Sequence, residues 1–420
     1  MRVTIGRGWA EGRAIAPPSK SYTHRALFLS SLARGRSRVL SPLHSDDTTA
    51  TRRVLEMIGV PIRTLGEGFE VHGGSLGPPE TELHCGESAT TLRLGSAVCS
   101  IIEGEAILTG ASSLLRRPVE PLLEGLRQMG VECSGMGGFP PVRVRGGRLL
   151  GGEVSMRGDI SSQFVSAILL IAPLAERPTN LTLTTPLESK PYVCMTMEAQ
   201  RRFGVEIRAS EDMRHFQTEV QEYGPTDFKV EGDWSSAAYL LAAGATAGRV
   251  VVENLDPKSL QADAAIIEYL RGMGASVKVW EEGAEAEMSN LRGLDMEVSD
   301  CPDLFPILAS LSAAAEGRSI IRGVRRLEYK ESNRVESTIE GLRAMGIRAY
   351  RRGDEVIVEG GRPRGGVIDP RGDHRLAMAF SILGLIADGE TTILGAECVS
   401  KSYPLFWEAL EELGVSMRRS

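Results

Sequence analysis

One phrase recurs six times along these 420 residues: a helix-like run ends in a large apolar residue, a glycine follows, and a β-rich segment begins. It reads Ile58-Gly59-Val60, Met129-Gly130-Val131, Phe203-Gly204-Val205, Met273-Gly274-Ala275, Met345-Gly346-Ile347 and Leu413-Gly414-Val415. Successive glycines stand 71, 74, 70, 72 and 68 residues apart. Glycine just beyond a helix takes the left-handed cap conformation without a Cβ penalty. A fixed period sets the architecture before any single motif does. One supersecondary unit is therefore used six times.

Each period carries a second piece, a helix rich in small residues and apolar nearly all round. The six span 23–33, 89–101, 162–175, 235–247, 303–315 and 374–387. Helices of that kind are buried. Those that end in the capping glycine carry Arg and Glu on one face and belong outside. Short strands lie between, among them 106–108, 181–183, 250–252 and 356–358. The expected fold is α/β, each unit packing sheet over a buried helix. A chain this long is too large for one core and suits two domains.

Polar residues gather at the N-terminal ends of the buried helices: Lys20, Ser21 and Arg25; Glu87, Ser88 and Arg93; Ser161, Ser162 and Gln163; Asp233 and Ser235; Asp303; and Asp373, His374 and Arg375. Capping accounts for Asp233 and Ser235, and it is one of two readings for Asp303. It does not account for lysine and arginine at positive helix ends, where like charge is unfavourable. A bound anion does, because helix N-termini bind anions. The net charge of −7 argues against a nucleic-acid surface, so any anion must be held in a focused pocket. Of 48 basic residues only seven are lysine, and Lys20, Lys190, Lys330 and Lys401 fall in the densest polar motifs. Lysine offers a compact ammonium that arginine cannot replace.

Six scattered cysteines, with no Cys-x-x-Cys pair and no zinc spacing with histidine, read as free thiols in a reducing cytoplasm. The first residues, MRVTIGRGWAEGRAI, lack the apolar core of a signal peptide, and no long apolar run suggests a membrane span. His24 reads as a hydrogen-bonded structural residue.

The segment 17–26, PPSKSYTHRA, resembles the N-terminal signature of the enolpyruvyl transferases, in particular of the branch acting on shikimate 3-phosphate. Further matches follow in family order: 85–93 (CGESATTLR), Arg116-Arg117-Pro118, 160–165 (ISSQFV), 329–334 (YKESNR), Asp373-His374-Arg375 and Lys401-Ser402-Tyr403-Pro404. The resemblance spans residues 17 to 404. It implies a two-domain inside-out α/β prism of six βαβαββ-type repeats, three per domain. The first domain would comprise 1–16 and 228–420 and the second 17–227, with the active site in the cleft between them. Proline-marked crossovers at Ala16-Pro17-Pro18 and Tyr223-Gly224-Pro225-Thr226 fit that division.

The implied reaction joins shikimate 3-phosphate to phosphoenolpyruvate through the 5-hydroxyl and releases phosphate. By resemblance, Ser21 and Arg25 hold the shikimate carboxylate, and Ser161, Ser162 and Ser189 its phosphate. Gln163 lies between the substrates and Tyr192 beside the shikimate ring. Arg334 and Arg375 clamp the carboxylate of phosphoenolpyruvate, while Lys20, Arg117 and Lys401 surround its phosphate and Ala89 borders it. Asp303 is the expected general base, supported by Lys330, with both also contacting shikimate 3-phosphate. Glu331 is the expected acid, sharing that role with Lys20. Arg93, Glu87 and Asp373 are expected to support these groups. Lys330 and Glu331 are expected on a helix, where the other reading is a solvated face. No metal or organic cofactor is called for, and the expected state is a monomer.

Three positions depart from the family pattern: Asn333 replaces an Asp, Arg326 stands where Asn or Leu is common, and Ala89 replaces a glycine. Two rival readings differ in kind. The cell-wall branch, acting on UDP-N-acetylglucosamine, has K-N-A in place of Ser19-Lys20-Ser21 and a cysteine in the loop at 110–116, which here reads GASSLLR. A non-catalytic anion-binding repeat protein would leave Asp303, Glu331 and the motif lysines without a task.

Two expectations are testable. Four anionic groups bridging two domains favour a closed state, so adding shikimate 3-phosphate should lower the radius of gyration in solution scattering; identical profiles refute this. The Ala89 methyl should crowd glyphosate, which is longer than phosphoenolpyruvate, by about 1–3 kcal/mol. Ala89→Gly should then gain roughly ten- to a few-hundredfold in glyphosate affinity relative to the phosphoenolpyruvate KM; no gain refutes it.

Overall fold

The computed structural model describes residues 1–420. Six of its α-helices are the expected buried ones. In chain order with their outer partners, they are α1 (Lys20–Leu32), α2 (Asp46–Met57), α3 (Ala89–Cys99), α4 (Glu120–Gln128), α5 (Ser162–Ile171) and α6 (Lys190–Arg202). The second half gives α7 (Trp234–Ala247), α8 (Ile266–Gly272), α9 (Phe305–Ala314), α10 (Arg334–Ala344), α11 (His374–Gly384) and α12 (Phe406–Glu412). Odd-numbered helices are covered on nearly every face; all of α11, and all of α9 but Ala314, is buried. Even-numbered helices bury one side, as α4 does with Leu122, Leu123, Gly125 and Leu126. All six repeat glycines beyond the even helices have positive φ, from +78° at Gly346 to +91° at Gly274. The local cap chemistry thus set the period that the sequence displays.

Six four-stranded sheets accompany the helices. A complete repeat runs Leu83–His84, α3, Gly104–Thr109, α4, Glu132–Met136, Phe139–Gly146. Its first two strands pair in parallel, Leu83 opposite Leu108, and the second pairs antiparallel with the fourth, Ala106 opposite Val144. Alternation places Ala106, Leu108, Val142 and Val144 in the core.

The chain forms two compact units, Met1–Pro17 with Gly232–Ser420, and Pro18–Glu231, each holding three sheets and three buried helices. The boundary lies at 231/232 rather than the expected 227/228. Strand Asp227–Lys229 pairs in parallel with Gly35–Leu40, so it completes the first sheet of the Pro18–Glu231 unit before the chain leaves. In the other unit Ala10–Ile15 supplies the strand parallel to Gly248–Glu253, and Arg2–Ile5 lies between Thr391–Leu394 and Met417–Arg419, antiparallel to both. Each unit has its own apolar core.

A second repeated glycine escaped the sequence reading. Gly73, Gly146 and Gly360 close their strands against the carbonyl end of a buried helix. A Cβ on Gly146 would stand 2.3 Å from the Cys99 oxygen, with the Ile102 and Ser100 oxygens at 2.6 and 2.7 Å. Its φ is not positive, so only the lack of space requires glycine. None of the six cysteines stands in a disulfide, and no helix is long and apolar enough to cross a membrane. Gly146→Ala should cost at least about 1–3 kcal/mol, because the clashing atoms are backbone and cannot rotate away. At roughly 2–4 °C per kcal/mol for a unit this size, calorimetry should show a clearly lowered midpoint; an unchanged midpoint contradicts the steric reading.

Candidate active site

In the Pro18–Glu231 unit, polar groups converge at the heads of α1, α3, α5 and α6. The Ser19 hydroxyl caps α1 by accepting from the Tyr22 N–H, which leaves Lys20 as its first residue. The Lys20 ammonium donates to Asp47 Oδ2 at 2.8 Å. Asp47 sits in the first turn of α2, which Ser45 and Thr48 start with a capping box. One turn into α1, Arg25 is buried and its guanidinium reaches neutral acceptors only: Thr196 Oγ1 at 2.9 Å, the Tyr192 carbonyl at 2.7 Å and the Ser21 carbonyl at 2.9 Å. Burial pulls its pKa down to about 10. A buried guanidinium with no carboxylate partner suits an anionic ligand.

Arg93 is the hub of the next group. Its Nη1 donates to Gln163 Oε1 at 2.8 Å and Ser161 Oγ at 3.2 Å, Nη2 reaches the Pro118 carbonyl at 3.2 Å, and the guanidinium lies 4.7 Å from the Phe164 ring centre. The Gln163 amide donates to Thr90 Oγ1 at 2.9 Å. Arg93 therefore ties the start of α3 to the start of α5, a larger part than its sequence position suggested. Ser161 caps α5, with Ser162 buried behind it. Ser189, at φ +54°, precedes α6, and Tyr192 follows in its first turn. Ala89 opens α3, while buried Arg117 ends the short turn Leu114–Arg116.

His24 has the expected structural role. It is 1% exposed, and its Nδ1 is 2.7 Å from Thr51 Oγ1, which is 2.7 Å from Thr91 Oγ1, itself donating to Ser88 Oγ at 2.8 Å. Burial, with Lys20 and Arg25 adding to it, holds the ring pKa well below its usual value, so the imidazole is neutral.

The other unit centres on Asp303 and Arg334. Asp303 Oδ1 accepts from Arg334 Nη1 at 2.8 Å and Lys330 Nζ at 3.3 Å, and Oδ2 accepts from Arg375 Nη2 at 3.0 Å. Asp303 is not a helix cap: α9 begins at Phe305, and the carboxylate serves three cations from the turn Pro302–Leu304. Arg334, 1% exposed, also donates to Glu331 Oε2 at 2.7 Å and Asp373 Oδ2 at 2.9 Å. Burial opposes its charge, but Asp373, Glu331 and Asp303 more than compensate and raise its pKa. Asp373 also caps α11 by accepting from the Arg375 N–H at 3.0 Å. Lys401 donates to the Gly372 carbonyl at 2.7 Å. Burial lowers the pKa of Lys330 against the pull of Asp303.

Lys330 and Glu331 do not lie on a helix. They occupy the turn between Arg325–Tyr329 and α10, which starts after Asn333. Asn333 accepts from the Glu336 N–H, so amide replaces carboxylate as the cap without loss of that bond. Asn333 followed by Glu336 was a visible start signal. Arg326 donates to the Ser299 carbonyl. Whereas Arg334 is engaged by three carboxylates, Arg375 keeps two buried nitrogens, Nε and Nη1, that make no hydrogen bond, with the Tyr239 hydroxyl beside the guanidinium. Neighbours missed in the sequence are Asp47, Thr51, Thr196 and Asp263. Asp47 showed only as part of a helix start, and the others carried no signal. No cluster of His, Cys, Asp and Glu is arranged to hold a metal.

Hydroxyls and cations at the heads of buried helices, in a six-repeat α/β frame, define an enzyme built for substrates with several negative charges. The family model described as EPSP synthase (3-phosphoshikimate 1-carboxyvinyltransferase) matches residues 7–410. A Dehalococcoides mccartyi protein named 3-phosphoshikimate 1-carboxyvinyltransferase is 42% identical over 416 residues, covering 99% of this chain and 98% of the relative. One of the same name from Methanocorpusculum labreanum is 40% identical over 422 residues, with both chains covered in full. The solved EPSP synthase of Acinetobacter baumannii superposes with TM-score 0.84 at 30% identity over 99% of each chain. The chain belongs to the EPSP synthase family.

Proposed function

We propose that this chain transfers the enolpyruvyl group of phosphoenolpyruvate to the 5-hydroxyl of shikimate 3-phosphate, releasing inorganic phosphate in the route to chorismate and the aromatic amino acids. Family membership over residues 7–410 supports the reaction. The observation that carries the placement of residues is Arg375, whose buried Nε and Nη1 make no hydrogen bond. A carboxylate supplies acceptors for such donors.

Shikimate 3-phosphate meets Ser21, Arg25, Ser161, Ser162, Ser189 and Tyr192, with Gln163 shared between the substrates. Arg25, whose bonds go only to neutral acceptors, takes the shikimate carboxylate. Phosphoenolpyruvate meets Arg375 and Arg334 through its carboxylate and Lys20, Arg117 and Lys401 through its phosphate, with Ala89 against it. Asp303 removes the proton of the 5-hydroxyl as the hydroxyl oxygen bonds to C2 of phosphoenolpyruvate, and a proton goes to C3 from Lys20, or from Glu331 once the phosphoenolpyruvate carboxylate has taken Arg334 from it and left it protonated. Expulsion of phosphate, with a C3 proton returning to the group that supplied one, restores the double bond. An acid in contact with three cations is a carboxylate, the form a base needs. Lys330 holds it and offsets charge as the hydroxyl proton leaves.

The reaction needs no cofactor, since phosphoenolpyruvate arrives activated. Six cysteines outside any disulfide suit a reducing cytoplasm, and the working state is taken as a monomer.

Phosphate release should require phosphoenolpyruvate and shikimate 3-phosphate together, with UDP-N-acetylglucosamine inactive as acceptor; release with the nucleotide sugar instead would transfer the assignment to the cell-wall branch. Asp303→Asn should lower kcat by about 10²–10⁴ while shikimate 3-phosphate binds within roughly tenfold of wild type. Near-normal turnover would remove Asp303 as the base.

A further inference from the structure

Asp263 stands on the turn Ala262–Ala265 leading into α8 and is 1% exposed. The Ser235 hydroxyl, in the first turn of α7, is bonded to its Oδ2, whereas Oδ1 has no hydrogen-bond partner. No cation forms an ion pair with it, although three cations close on Asp303. The ionisable groups that face it are Asp303 from the turn before α9, Arg375 from α11, Asp233 at the head of α7, Tyr269 from α8, and Cys301. A buried carboxyl offered one neutral hydroxyl holds its proton, because ionising there finds neither water nor a paired cation. Burial, and next the charge of Asp303, raise its pKa to about 7.

Arg375 is the group this affects. It donates to Asp303 through Nη2, and its remaining buried nitrogens, Nε and Nη1, make no hydrogen bond, with the neutral Tyr239 hydroxyl beside the guanidinium. A second carboxylate close by would compete for its field and repel an incoming anion. We propose that Asp263 is a positioning residue: kept as a neutral acid by its burial beside Ser235, it leaves the charge of Arg375 to Asp303 and to the carboxylate of phosphoenolpyruvate. Loss of the Asp263 proton weakens that binding. The inference rests on the assignment of Arg375 to phosphoenolpyruvate.

The test compares wild type with Asp263→Asn and with Asp263→Leu, which has the same branching, does not titrate and serves if the amide variant fails to fold. In wild type the KM for phosphoenolpyruvate should rise as pH passes about 7, with kcat at saturation changing far less. In either variant the rise, taken relative to that variant's own plateau, should begin at least about one pH unit higher. An unmoved limb, or a loss equal at every pH, overturns the proposal.

Unfolding gives a readout independent of activity. With the folded pKa raised, the stability linked to the Asp263 proton is complete below the usual aspartate range and is lost as pH rises through about 7. The wild-type Tm should therefore fall relative to Asp263→Asn across that window and hold its lower offset above it. Parallel Tm curves overturn the neutral acid. If wild type releases phosphate with neither acceptor, the functional reading fails, and the unfolding comparison still decides the state of Asp263.

Discussion

Arg334 is the interaction on which the Asp303 centre depends. A guanidinium 1% exposed carries a desolvation cost that one surface-type partner could not offset. Three carboxylates surround it: Asp303 from the turn before α9, Glu331 from the turn before α10, and Asp373 from the head of α11. Each comes from a different stretch of chain, so the arginine fixes the mutual placement of three segments. Asp303 then has a defined position from which to hold Lys330 and Arg375. Removing Arg334 would leave two further cations sharing three crowded carboxylates, so its role in shaping the centre is inseparable from any contact with substrate.

The repeat explains why such a centre forms at all. Buried helices made of small and apolar residues bring their N-termini to places where side chains of neighbouring repeats meet. Backbone N–H groups at those ends favour anions. Asp233 and Asp373 satisfy them as caps, and Asp373 does so while also binding Arg334. In the Pro18–Glu231 unit hydroxyls take the same position, Ser19 on α1, Ser88 on α3 and Ser161 on α5. Among the cations there, Arg25 bonds only to neutral acceptors, while Lys20 is paired with Asp47. The same fold thus yields one centre crowded with carboxylates and another lined with hydroxyls.

Local chemistry made much of this legible. A helix-capping glycine is decided within a few residues, and all six appeared at their true places; so did the buried helices, whose composition declares their environment. Features that depend on distant residues were hidden. Lys20 and Asp47 are 27 positions apart and nothing in either segment announces the other. Asp263 looks like an ordinary residue at the start of a helix, since its burial beside Ser235, without an ion pair, exists only once α7, α9 and α11 have packed. Asp303 was ambiguous between cap and acid because both roles want the same side chain in the same place. The run 329–334 looked helical by composition, yet Asn333 stops that helix from extending backward.

The placement of the first fifteen residues bears on how this chain is made. Arg2–Ile5 is an interior strand whose neighbours are Thr391–Leu394 and Met417–Arg419, and Ala10–Ile15 awaits Gly248–Glu253. Pro18–Glu231, by contrast, holds every strand of its own three sheets. At about 5–20 residues per second of synthesis, the opening strands emerge tens of seconds before their partners exist. Val3 and Ile5, fully buried at the end, spend that interval without their sheet. These strands, made well before their partners, are therefore among the last to be enclosed, and Pro18–Glu231 is complete while the two parts of the other unit are still waiting for each other.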